Sequence, residues 1–77
     1  MNAVHTAVIH QYVIRGYGNS INVQARLAQH GHVSRAGWDP GPPSWHLTYD
    51  TSLSEREVTD LVKDLIPRYD LKITQSD

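Results

Sequence analysis

The residues whose types could do chemistry are histidines, arginines and a few aromatics. The chain has 77 residues, with five His, seven Lys and Arg, two Trp, four Tyr and no Cys. His30-Gly31-His32 is a His-x-His pair, and imidazole ligates zinc, copper and nickel. A metal site needs three or four ligands at fixed geometry. No third ligand lies nearby in sequence, and His5, His10 and His46 could join only through the fold. The pair therefore reads as a turn residue followed by a polar strand start, and no metal is expected.

Catalysis is not expected either. Ser, His and Asp are present without a G-x-S-x-G elbow, an H-E-x-x-H helix or a phosphate-cradling G-x-x-x-x-G-K. Gly16-Tyr17-Gly18 would open a dinucleotide fingerprint, but its third glycine would fall on Ile21. Glu55 and Glu57 suit the positive end of a helix dipole. Without cysteine there is no disulfide, thiolate metal site, iron–sulfur cluster or cysteine nucleophile. No cofactor is implied.

Charge is the sharper clue. The net charge is −1, whereas dedicated nucleic-acid binders are usually far more basic. It is unevenly spread. Up to Trp38 the only formal charges are Arg15, Arg26 and Arg35, a total of +3. From Asp39 onward four cations face eight acids, giving −4. Such a dipole can orient a charged partner, or the two halves can attract each other in the fold. A hairpin turning at His30-Gly31 would set Arg26 opposite Arg35. Like charges directly opposite are mildly destabilising, so the pair would suit an anionic partner, with Arg15 a candidate third member. The bland alternative is that these arginines splay into solvent or pair with acids of the second half. Tyr17 lies between two glycines, and Trp38 and Trp45 flank the proline-rich stretch Asp39–Ser44. Tyr and Trp are frequent binding anchors, although indoles also stack on prolines.

These residues need elements to hold them. Thr6–Arg15 is β-branched and free of Gly and Pro, and reads as a strand. Residues 16–20 form a turn. Ile21–Gln29 alternates Ile21, Val23, Ala25 and Leu27 with polar residues, the strand period. Its composition, Ser20 as an N-cap and Gly31 as a C-cap would instead suit a helix. Period is given precedence over propensity, so a second strand is expected, with His30-Gly31 as a two-residue turn and His32–Trp38 as a third strand. Asp39–Ser44 is a loop, and Trp45–Tyr49 alternates cleanly as a fourth strand. Ser54 and Glu57 match a capping box, Leu53 and Val58 a hydrophobic staple. Val58, Leu61, Val62, Leu65 and Ile66 then form a helical stripe that Pro67 ends. Leu71 and Ile73 alternate with Lys72 and Thr74 in a short closing strand.

The expected fold is one small α+β domain spanning 1–77: a mostly antiparallel sheet with one amphipathic helix on one face, in the order ββββαβ. Should 20–30 be helical, the order becomes the ferredoxin-like βαββαβ. No apolar run is long enough to span a membrane and no signal peptide is visible, which with the lack of cysteine suggests a cytoplasmic protein. The economical function is a non-enzymatic protein-binding module, a small inhibitor or adaptor that docks on a larger assembly. Phage and mobile-element inhibitors of host defence complexes, anti-CRISPR proteins among them, share this size class, which is an analogy of size alone. The candidate partner-binding residues are Arg15, Tyr17, Arg26, Arg35 and Trp38. Two other functions remain open: a nucleic-acid binder using the same basic strands, and a homodimeric structural subunit built on exposed sheet edges.

Overall fold

A computed structural model describes residues 8–40 and 43–76. Two strand residues expected from the sequence, Thr6 and Ala7, and the centre of the proline loop, Gly41 and Pro42, lie outside it. The elements are β1 (His10–Gly16), α1 (Ile21–Leu27), β2 (His32–Pro40), β3 (Pro43–Thr51), α2 (Glu55–Val62) and β4 (Lys72–Gln75). The strands form one antiparallel sheet in the order β2-β3-β1-β4. The α+β class and the antiparallel sheet are as expected. The element order is the ferredoxin-like βαββαβ, with two helices instead of one.

The second helix is α1, where alternation suggested a strand. Its stripe is only two residues wide. Val23 and Leu27, one turn apart, are completely buried, while Ile21, Ala25 and Ala28 stay exposed. Over seven residues, period 2 and period 3.6 both fit, and packing against the sheet and α2 decides. Ser20 does not cap through its side chain. Asn19 Oδ1 accepts from the Ile21 N–H at 2.9 Å, and Ser20 Oγ accepts from Gln24 Nε2 at 2.7 Å. His30-Gly31 is consequently the link from α1 into β2, not a hairpin turn.

The α2 capping box forms as expected. Glu57 N–H donates to Ser54 Oγ at 3.2 Å, and Ser54 N–H donates to Glu57 Oε1 at 3.0 Å. Val58 and Val62 enter the core, with Leu53, Leu61 and Leu65 packed beside them. The regular helix ends at Val62, short of Ile66, and tighter turns carry the chain to Pro67. The core joins Val23, Leu27, Val58 and Val62 of the helices to Tyr12, Ile14, Trp45, Leu47 and Tyr49 of β1 and β3. Each buried aliphatic contributes about 1.5–3 kcal/mol. Tyrosine hydroxyls tie the layers together: Tyr49 donates to the Leu27 carbonyl and Tyr12 to the Leu53 carbonyl, both at 2.7 Å. Burial pushes the Tyr49 phenol above its ordinary range, partly offset by Thr51.

The strand alternation leaves one sheet face free of helices. Gln11, Val13 and Arg15 of β1, His46, Thr48 and Asp50 of β3, Arg35, Gly37 and Asp39 of β2, and Lys72 and Thr74 of β4 share it, as their registers require. No helix among the described residues is long and apolar enough to cross a membrane.

Candidate functional site

The carboxyl end of β1, the amino ends of β3 and β4 and the carboxyl end of β2 meet at one end of the sheet. There Arg15, Gly16, Tyr17, Ser44, Asp70, Leu71 and Lys72 line a cleft of about 340 Å³. β1 places Arg15 on the open face, and the β1–β4 register sets it opposite Lys72. Tyr17 stands just beyond β1 and is 50% exposed. It is followed by Gly18 at φ 83°, a left-handed geometry that glycine adopts without strain. Gly16 is required by close approach: a Cβ there would lie 2.6 Å from Trp45 Cζ2 and 2.8 Å from Leu71 Cδ2. The Trp45 indole thus closes the core beneath this end, with its Nε1 buried and without a hydrogen-bond partner among the described residues.

The charged groups here are two cations and two carboxylates. Arg15 Nη1 is 3.9 Å from Asp39 Oδ2, a loose exposed pair of small worth. Asp39 is shared, since the same oxygen lies 3.5 Å from His46 Nδ1 and accepts from Ser44 Oγ at 3.4 Å. Lys72 has no ion-pair partner among the described residues. Asp70 is the cleft's one carboxylate. Two cations therefore face each other across a ladder, the arrangement that costs stability without an anion between them.

The expected pairing of Arg26 with Arg35 does not exist, because Arg26 lies on α1 and not on a strand. It reaches across to α2, donating from Nη1 and Nη2 to the two oxygens of Asp64 at 2.9 and 3.2 Å and from Nη1 to the Leu61 carbonyl at 3.0 Å. That hydrogen bonding holds the Asp64 carboxyl below its ordinary value. Arg26 joins the oppositely charged halves. Arg35 is exposed on β2 opposite Thr48, with no ion-pair partner among the described residues. Trp38 lies on the other face of β2, opposite Trp45. It is 62% exposed, whereas Trp45 is 1% exposed, so the two tryptophans have different roles.

Of the five candidates the fold brings Arg15 and Tyr17 together and leaves Arg35 and Trp38 on the edge strand. Lys72, Ser44 and Asp70 were not among the candidates. Alternation already put Lys72 on a polar face, but only the β1–β4 pairing reveals its neighbour. His30 and His32 are both exposed, and no three His, Cys, Asp or Glu gather to hold a metal among the described residues; His5 lies outside them. Ser44 hydrogen-bonds to a carboxylate that is itself shared with a histidine and an arginine, an arrangement that supplies charge balance but no strong nucleophile. The cleft lining combines a guanidinium, an ammonium, a carboxylate and a phenol. Comparison with known proteins finds no family model, no curated protein and no solved structure that matches this chain.

Proposed function

We propose that the chain is a non-enzymatic protein-binding module, an inhibitor or adaptor whose cleft receives an acidic segment of a larger protein. The observation that carries this reading is the opposition of Arg15 and Lys72 on neighbouring strands, at the mouth of a cleft that also holds the exposed Tyr17. An arriving carboxylate relieves the repulsion between the cations and gains charge-assisted hydrogen bonds. Tyr17 supplies rigid contact area at low entropic cost.

The test is capture from lysate of the native host, with and without nuclease. Arg15→Glu with Lys72→Glu is expected to abolish recovery of a nuclease-resistant partner while the melting temperature stays within a few degrees of the parent, since both side chains are exposed. Undiminished capture by a folded double variant would overturn the reading.

A second reading has a specific observation behind it. Arg15, Arg35 and Lys72 all lie on the open sheet face, the kind of face on which four-stranded RNA-binding sheets lay out bases. The observation against it is that β1 and β3 bring no Tyr, Trp or Phe to that face for stacking. Nucleic-acid binding would weaken log-linearly with salt on unrelated sequences alike, which separates the two.

A further inference from the structure

We propose that the exposed edge of β2 pairs antiparallel with the same edge of a second copy of this chain, across a two-fold axis at Gly37. β2 is an edge strand of nine residues, while the opposite edge, β4, has four. Natural edges are blunted to prevent such pairing. Here the blunting devices sit at the ends: a register shift between Val33 and Arg35, and Pro40. The window from Arg35 to Asp39 between them is regular.

The phase of the free backbone groups follows from the prolines. Pro40 and Pro43 face each other, and neither has an N–H, so they cannot be a hydrogen-bonded pair. By alternation Asp39 and Gly37 exchange hydrogen bonds with β3. Ala36 and Trp38 consequently point their N–H and C=O groups away from the sheet. Their side chains lie on the helix-side face but no helix covers them, for Ala36 is exposed and Trp38 is 62% exposed.

Pairing two such edges about Gly37 sets Ala36 opposite Trp38 of the second copy, so that the residues with outward backbone groups form the hydrogen-bonded pairs on both sides of the axis. The same register puts Arg35 opposite Asp39 of the second copy on the open face, and symmetry repeats this charge pair. Shifting the register one way sets Arg35 against Gly37, and one step further against Arg35 itself. Only the pairing centred on Gly37 joins opposite charges and covers the apolar strip together. It assigns Arg35 and Trp38 to self-association and is independent of the acidic-partner reading, since its test contains no partner.

Sedimentation equilibrium of the whole chain over a concentration series decides it. The parent chain is expected to approach twice the 8.7 kDa monomer mass. Arg35→Asp alone and Asp39→Arg alone should each raise the dimer dissociation constant about tenfold or more, two pairs being reversed at once. An equimolar mixture of the two variants should regain the dimer, because every facing pair is again opposite in sign. Ala36→Pro, which deletes an outward donor and no ladder bond, should give a folded monomer by circular dichroism. A parent chain that is monomeric up to about 1 mM, or a dimer indifferent to all three substitutions, would sink the proposal. So would a monomer whose β2 edge instead takes a strand from another protein.

Discussion

Arg26 and Arg15 show how neighbours decide the role of one residue type. Arg26 spends its guanidinium on Asp64 and the Leu61 carbonyl, so it is part of the scaffold. Arg15 keeps an exposed head group with one shared, distant carboxylate, so it remains available. Gly16 is the residue on which this end of the sheet depends. Gly16→Ala would press a methyl into the Trp45 ring and the Leu71 side chain at 2.6 and 2.8 Å. Overpacking of this kind costs about 1–3 kcal/mol. A thermal melt should therefore drop by about 4–8 °C for each kcal/mol in a domain of this size. A melt within a degree of the parent would mean that the indole can move aside freely.

Among the elements, the two helices differ in what specifies them. α2 is written into local chemistry, with reciprocal Ser54–Glu57 hydrogen bonds and a run of well-spaced apolar residues. Ser54→Ala should lower stability by about 1 kcal/mol in chemical denaturation. Ser20→Ala, at the start of α1, should cost less, because Ser20 makes no cap bond and only receives the Gln24 amide. Equal losses would mean that the two starts are held in the same way. α1 was ambiguous because a seven-residue segment with Val23 and Leu27 as its buried positions satisfies both periods. What chooses the helix is the layer of core aliphatics it meets, which lies far away in sequence. β3 was legible because the strand formers Trp45, Thr48 and Tyr49 agree with the alternation that turns Trp45, Leu47 and Tyr49 inward.

For the whole molecule, charge joins the parts. Hydrogen bonds from the Ser54 backbone and hydroxyl hold Glu57 below its ordinary 4.5, and Arg26 holds Asp64 below its ordinary 3.8. A carboxyl with a lowered pKa in the folded state contributes stability above its ordinary value and loses it as pH falls through the folded value. Denaturation from neutral pH down to about 3 should thus show stability falling below about pH 4.5, and Glu57→Gln with Asp64→Asn should flatten that limb. An unchanged limb would place the acid sensitivity elsewhere. By itself the sequence determined the α+β class, the polar–apolar alternation of β3, the start of α2 and the absence of thiol chemistry. The alternation and the helix start are set by residues within one turn or one strand of each other, the class by the order of such local patterns and the lack of thiols by composition. It also put Arg15 and Tyr17 among the binding candidates. Only the tertiary structure decided that α1 is a helix, that Arg26 faces Asp64, that Lys72 stands beside Arg15 and that β2 is an edge. Those depend on which distant segments pair, and the free energy that selects the pairing comes from burying Val23, Leu27, Trp45 and their neighbours in one shared core.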